Sequence, residues 1–200
     1  MSEPLLAEAA IALFAEKGQK MTADDFRPFI GMGEDRYLGG PAAAKGIPFD
    51  PVRDKARLYE IYEDVIRGRL QPLPGAREFV AACRARGLAI AVASGADWTK
   101  VIANLREIGM PVSVFDAVVD GTQVVHKKPA PDIFLEACRR LTLKPAQCLV
   151  IEDAVSGVAA ARTAGMRCLG LTTSFDAGEL AGADWIATDL AHAPKEALAW

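Results

Sequence analysis

The chain has 200 residues, of which 51% are hydrophobic, so it is long enough to bury a core of ordinary domain size. Its net charge of −3 gives no basic surface for nucleic acid or for an anionic membrane, and we exclude both as partners. No apolar run approaches the roughly eighteen residues of a membrane span, and the N-terminal residues lack the features of a signal peptide. The sequence therefore predicts a soluble chain.

Four cysteines lie within apolar patterns of the sequence, far from one another: Cys83, Cys138, Cys148 and Cys168. Cysteines in such positions are typical of small buried side chains in a reducing compartment. The histidines His126 and His192 are too few and too isolated to suggest a zinc site.

The first third of the chain favours helices. Apolar residues recur every three or four positions over 5–14, as on one face of a helix, and Thr22 has the spacing of an N-terminal cap. Glycines interrupt the pattern over 31–40 and predict a loop and a short helix, and a longer helix follows over 58–66. We expect a helical domain over residues 4–72.

The pattern changes after Pro72-Leu73-Pro74-Gly75, where strands begin to alternate with helices. The predicted strands cover 88–93, 117–119, 149–151, 167–171 and 185–187. The predicted helices cover 76–86, 97–108, 131–141 and 156–164. This alternation predicts an α/β domain over residues 73–200, with a Rossmann-like parallel sheet and helices on both faces.

Three polar segments follow predicted strands. Glu152-Asp153 joins two carboxylates at a strand end, which favours a Mg²⁺ or Ca²⁺ site, although the pair could instead cap the next helix. Ser94-Gly95 places a hydroxyl and backbone amides before a helix, which suits a phosphate but also suits a simple turn. Lys128, before Pro129, could neutralise a phosphoryl group or could be a solvated loop lysine.

Taken in chain order, Ser94-Gly95, Lys128-Pro129-Ala130-Pro131-Asp132 and Glu152-Asp153 closely resemble the second, third and fourth motifs of the haloacid dehalogenase superfamily of phosphoryl-transfer hydrolases. The similarity covers about residues 74–173, and the helical segment before it resembles the helical cap of the subfamily that contains β-phosphoglucomutase. The resemblance implies a small phosphorylated metabolite as substrate, bound by Ser94 and Gly95 and oriented by Lys128. It also implies Mg²⁺ as the cofactor, held by Asp153 with Glu152.

Arg36 is our candidate for contact with a second anionic group of the substrate, and the alternative is an exposed helix residue. Other segments resemble the hydrolase-like domain of a plant chloroplast protein: Thr22–Phe29, Gly31–Glu34, Leu38–Gly40 and Ala91–Ser94. This second resemblance implies that the protein is located in a plastid stroma. It also implies that the chain is fused to or associated with other domains.

The first motif of the superfamily, an Asp-x-Asp that supplies the nucleophile and the general acid–base, does not occur in this sequence. Met1-Ser2-Glu3-Pro4 is similar to the segment that normally follows that motif, so we expect the chain to begin just after its catalytic centre. None of the other aspartates that we considered is a convincing substitute for the missing nucleophile. They are Asp24, Asp25, Asp116, Asp120 and Asp184. An incomplete sequence and a non-catalytic descendant both stay open, and an in-frame Asp-x-Asp strand upstream of Met1 would favour the enzyme.

The resemblance places the absent first strand between 88–93 and 149–151. Its removal would leave a gap of about 9 to 10 Å between the neighbouring strands. Unpaired buried backbone groups cost about 1 to 3 kcal/mol each. We therefore expect the two strands to close up, another segment to insert, or the fold to be damaged.

As a function we expect an inactive member of a Mg²⁺-dependent phosphatase or phosphomutase family, or alternatively a pseudoenzyme that binds a phosphorylated ligand or a protein partner.

Overall fold

The computed structural model describes residues 2–199, apart from the side chain of Leu198. The first part of the chain consists of four α-helices: α1 (Glu3–Glu16), α2 (Ala23–Phe26), α3 (Glu34–Ala44) and α4 (Arg53–Ile66). The structure describes no strand between residues 2 and 75. This helical content agrees with the sequence pattern, and the division into domains at residues 72 and 73 stays a prediction.

The helices of the first part share one apolar core, in which α1 packs against α4. The largest core side chains include Leu13, Phe14, Phe26, Leu38, Leu58, Tyr62 and Ile66. On α4, the buried positions 58, 62 and 66 recur every four residues, so they lie on one face. Burying one such side chain stabilises the fold by about 1.5 to 3 kcal/mol. Ala103, from a later helix, belongs to the same core and joins the first part to the rest of the chain.

The predicted loop and helix over 31–40 are both present, but the helix is longer than predicted, because α3 continues through Gly39, Gly40 and Pro41 to Ala44. Gly40 permits close packing, since a Cβ there would lie 2.8 Å from a ring carbon of Phe29 and nearer still to two others. Pro41 is itself buried. Burial of this face therefore outweighs the low helix propensity of glycine and proline.

The second part of the chain alternates strands and helices. Its elements are α5 (Ala76–Ala85), β1 (Ala91–Ala93), α6 (Trp98–Glu107), β2 (Ala117–Val119), α7 (Asp132–Leu141), β3 (Leu149–Glu152), α8 (Val155–Thr163), β4 (Arg167–Leu171) and β5 (Trp185–Ala187). The first strand is shorter than predicted and begins at Ala91; just before it, the carbonyl of Ile90 accepts the N–H of Asp116, and the side chain of Asp116 accepts the N–H of Ile90. In the described part of the chain, every helix is too short or too polar to cross a membrane.

Successive residues of each strand face opposite helix layers. In β1, Val92 packs with the apolar face of α6, whereas Ala91 and Ala93 pack with the cluster formed by α7 and α8. In β3, Val150 belongs to that same cluster, and Ile151 faces the other side of the sheet. All strand pairs are parallel. The predicted α/β fold class, with helices on both faces of parallel strands, is confirmed.

The strands form two separate sheets, β1-β2 and β3-β4-β5. Insertion of a segment from a second copy of the chain stays a prediction, whereas our expectation that β1 and β3 would close up is wrong for the described residues, in which no strand of this chain inserts between them. The physical reason is the helix layer: α7 contacts β1 and β2, α8 contacts β3 and β4, and the two helices contact each other. Their common core, which includes Val119 and Val150, holds both sheets in place.

Candidate functional site

A cavity of about 220 Å³ lies where the carboxyl ends of β1 and β3 face the loop before α3. Ligands of α/β folds bind at this edge of the strands. Five predicted site residues line the cavity: Ser94, Gly95, Lys128, Glu152 and Asp153. Arg36, by contrast, is an exposed residue of α3 outside this lining.

The Ser94-Gly95 turn connects β1 to α6. The N–H of Ser94 donates to the carbonyl of Val119 (2.9 Å), which extends the pairing of β1 with β2. The hydroxyl of Ser94 accepts the N–H of Ala96 (3.2 Å). A hydroxyl and backbone amides just before a helix can bind a phosphate, so the turn is placed to contact one in the cavity.

Gly121→Ala is expected to displace this turn. An added Cβ would lie 2.8 Å from the carbonyl carbon of Gly95 and nearer still to its oxygen, and backbone cannot move aside without shifting the turn. We expect urea denaturation to show a loss of about 1 to 2 kcal/mol in the free energy of unfolding. Gly178→Ala is the control, because its Cβ would meet only the end of the Asp176 side chain, at 3.2 Å. Equal losses for the two variants would contradict the prediction.

Lys128 and Glu152 form a buried ion pair between the ammonium Nζ and the carboxylate Oε1. Lys128 is only 6% exposed and Glu152 only 8%. The other carboxylate oxygen of Glu152 accepts the N–H groups of Asp153 (3.0 Å) and Ala154 (3.1 Å). The structure therefore gives Glu152 the lysine and two amides as partners, and its role as a second Mg²⁺ ligand stays a prediction.

Asp153 is largely buried beside other carboxylates. Its Oδ2 accepts hydrogen bonds from the hydroxyls of Thr173 (3.1 Å) and Ser174 (2.6 Å). Burial, and after it the charges of Glu3 and Glu152, raise the pKa of Asp153 to about 6. Sequence reasoning missed Thr173 and Ser174, although their position just after β4 could have indicated them. A cation bound nearby would favour the charged form of this carboxylate.

The donor set fits Mg²⁺ only with help from ligands outside the protein. The described residues contain no group of three His, Cys, Asp or Glu side chains at metal-binding distances. Mg²⁺ commonly binds through one or two carboxylates and keeps water or phosphate oxygens as its other ligands. Asp153 can supply such a carboxylate at the cavity, where the neighbouring Glu152 forms an ion pair with Lys128.

A second buried ion pair joins the helical part to α6 at the same cavity. The Nζ of Lys100 lies 3.2 Å from Oε1 of Glu34, and both residues are buried. Burial alone would lower the pKa of Lys100, but the charges of Glu34 and Glu3 together raise it. Nothing in the sequence pattern indicated this pair, because a lysine within a helix is usually exposed.

Four of the five aspartates that we weighed as substitute nucleophiles have other partners. Asp120 accepts the N–H of Thr122 (2.8 Å), Asp116 pairs with Arg84 (2.7 Å), and Asp184 accepts the N–H of Cys168. Asp25 pairs with Lys45 at an exposed position (2.8 Å). None of these four residues is in the cavity lining. The geometry therefore supports the expectation that none of them replaces the absent first motif.

Comparison with known proteins identifies the family. Residues 1–165 match the haloacid dehalogenase-like hydrolases. The chain belongs to this family. The predicted resemblance is thus confirmed, and the three motifs occupy the strand ends of a haloacid dehalogenase-like fold.

Relatives of this haloacid dehalogenase-like chain include plant and bacterial proteins. The chloroplastic protein SUPPRESSOR OF QUENCHING 1 of Arabidopsis thaliana is 43% identical over 196 residues, which are 96% of this chain and 19% of that protein. CbbY of Rhodobacter capsulatus is 34% identical over 147 residues, which are 72% of this chain and 65% of that protein. The chain therefore spans about a fifth of the first relative and slightly under two thirds of the second.

A solved structure of the family has a closely similar fold. It is the crystal structure of CbbY from Rhodobacter sphaeroides in complex with phosphate, which matches with a TM-score of 0.87 at 26% identity. The match covers 95% of this chain and 89% of that one. Separation of the strands into two sheets therefore leaves the overall haloacid dehalogenase-like arrangement intact.

Proposed function

We propose that this chain binds the phosphate group of a small phosphorylated metabolite together with Mg²⁺, as part of a phosphatase or phosphomutase of its family. The observation that carries the proposal is that Ser94, Lys128 and Asp153 line one cavity, although they lie far apart in the sequence. The related CbbY structure, which is a complex with phosphate, supports phosphate as the ligand.

Each residue has a role that its surroundings suit. The hydroxyl of Ser94 and the N–H of Gly95 would donate hydrogen bonds to phosphate oxygens, and Lys128 would bring a positive charge that Glu152 keeps in place. Asp153 would be the protein ligand of Mg²⁺. The bound ion would neutralise part of the negative charge of the phosphate. The helical part, which covers the cavity with Gly31 and Glu34, would exclude bulk water.

The test of this proposal combines phosphate binding and hydrolysis. We expect calorimetry to show Mg²⁺-dependent binding of inorganic phosphate, weakened roughly 10-fold to 100-fold by Ser94→Ala, since a hydrogen bond to a charged group contributes about 1.5 to 3 kcal/mol. Ser113→Ala, at an exposed position, is the control and should bind as the parent does. For the 200-residue chain we expect negligible Mg²⁺-dependent hydrolysis of an aryl phosphate.

Two results would go against the proposal. Equal phosphate affinity of the parent and Ser94→Ala would show that Ser94 is not part of the phosphate site. Hydrolysis by the parent that Asp153→Asn abolishes would show that another group supplies the nucleophile, and the proposed inactivity would then be wrong.

A second candidate function is a non-catalytic domain that binds a phosphorylated ligand or a protein partner. The observation in its favour is that Asp116, Asp120 and Asp184 are all held in structural contacts. Phosphate binding by the full protein with no turnover of any phosphate ester in a broad screen would favour this function over the enzyme.

The chloroplastic relative supports two further proposals about context. We place the protein in a plastid stroma and propose that this segment is fused to or associated with other domains, because it corresponds to only 19% of that relative. A fluorescent fusion of the full protein that accumulates outside plastids would contradict the location.

A further inference from the structure

Two cysteines that are ten positions apart in the sequence meet in the structure. The Sγ atoms of Cys138 and Cys148 lie 3.1 Å apart. Cys138 is in the last turns of α7, and Cys148 directly precedes β3. The sequence pattern predicted each of them only as a small buried side chain, so their contact is a result of tertiary packing.

Backbone hydrogen bonds fold both halves of the segment between the two cysteines. The N–H of Leu143 donates to the carbonyl of Cys138 (3.0 Å), and the N–H of Cys148 donates to the carbonyl of Pro145 (2.9 Å). The thiol of Cys148 also donates to the carbonyl of Lys144 (3.5 Å). Since the fold itself brings the sulfur atoms together, joining them requires little further loss of conformational freedom.

The two thiols differ in access to solvent. Cys138 is 4% exposed and belongs to the core beneath α7, whereas Cys148 is partly exposed at the edge of that core. Burial, and after it the neighbouring Cys148, raise the pKa of Cys138 to about 12, so this thiol stays protonated near neutral pH. A reagent in solution therefore reaches Cys148 first.

We propose that Cys138 and Cys148 are a redox modification site, which a small-molecule disulfide such as oxidised glutathione converts into an intramolecular disulfide. The Cys148 thiolate attacks one sulfur of the reagent, the reagent S–S bond breaks, and one glutathione thiol leaves. The sulfur of Cys138 then attacks the Sγ of Cys148, loses its proton to water, and displaces the second glutathione as a thiolate that takes up a proton. Two protein thiols are oxidised, and one reagent disulfide is reduced to two thiols.

The crosslink would join two elements at their ends away from the cavity. Cys148 is at the start of β3, and Asp153 follows the end of the same strand. Likewise, Cys138 is near the end of α7, and Lys128 precedes the start of that helix. Oxidation should therefore stabilise the fold without a change in phosphate binding, and this inference does not depend on the proposed function.

The deciding experiment is peptide mapping of the full 200-residue chain after incubation with oxidised glutathione. We expect a peptide that links Cys138 to Cys148, a loss of two hydrogen atoms from the intact mass, and full reversal by dithiothreitol. The proposal is overturned if all four thiols remain free, if the link involves Cys83 or Cys168, or if glutathione stays bound to Cys148.

A thermal measurement on the same samples tests the consequence for stability. Closing a loop of about this length should raise Tm by about 5 to 10 °C in a chain of this size. Cys148→Ser should abolish both the crosslink and the rise, whereas Cys83→Ser should keep both. A crosslinked parent with an unchanged Tm would overturn the stabilising role.

Discussion

Lys128→Met is expected to lower the free energy of unfolding by about 3 to 5 kcal/mol, because it leaves the carboxylate of Glu152 buried without its counter-ion. The two side chains pair directly, and each is almost fully removed from water. Urea denaturation, followed by circular dichroism, measures the loss.

Two further variants separate the cost of an unpaired charge from the loss of packing. The double variant Lys128→Met with Glu152→Gln removes both charges, and the glutamine oxygen can still accept the N–H groups of Asp153 and Ala154 that now bind Glu152. We expect it to recover most of the loss. Lys45→Met breaks an exposed pair with Asp25 and should cost less than about 1 kcal/mol. A loss for Lys128→Met no larger than for Lys45→Met would refute the argument.

Asp153→Asn is expected to stabilise the chain in metal-free buffer at pH 7, by about 1 to 3 kcal/mol, since one pKa unit corresponds to about 1.4 kcal/mol. The folded chain must ionise a carboxyl group whose pKa is raised by burial from its ordinary value of 3.8 to about 6. Asparagine removes that cost, and its side-chain oxygen can still accept hydrogen bonds from the hydroxyls of Thr173 and Ser174.

The pH dependence follows from the direction of that shift. Above about pH 6 the carboxyl group is charged in both states, and the full cost is present. As the pH falls from 6 towards 4 the folded chain takes up the proton first, so the difference between Asp153→Asn and the parent shrinks and vanishes below the unfolded pKa. Thermal unfolding of both proteins across this pH range measures the difference in their stability.

Magnesium should stabilise the parent chain but not the Asp153→Asn variant. Added Mg²⁺ should raise the Tm of the parent and leave that of Asp153→Asn unchanged, because the variant lacks the carboxylate that we assign to the metal. An equal response of both proteins would remove Asp153 from the proposed metal site, and destabilisation by the substitution would show that burial of this carboxylate carries no net cost.

The order of strands, helices and motifs could be predicted because it depends on local pattern. Ser94, Lys128 and Asp153 each follow a short apolar strand, and in parallel sheets the carboxyl ends of neighbouring strands meet at one edge. That rule, together with the resemblance of the three segments to the motifs of the family, was enough to predict that they share one site. The same reasoning could have included Thr173 and Ser174, which follow β4.

Features that depend on tertiary packing could not be predicted. The Gly39-Gly40-Pro41 segment has low helix propensity, yet contact with Phe29 makes it part of α3. The pairing of Lys100 with Glu34 unites residues from two parts of the chain. The separation of the strands into two sheets depends on how α7 and α8 pack across both, and no local pattern contains that information.

The pair formed by Glu34 and Lys100 also bears on how the two parts of the molecule can move. Glu34 belongs to α3 and Lys100 to α6, so any rotation of the helical part away from the sheet pulls opposite charges apart. Separated in a dry interior, such charges would attract each other strongly, so the motion requires water to enter and hydrate both. Hydration of these two side chains is therefore part of the free-energy cost of any such separation.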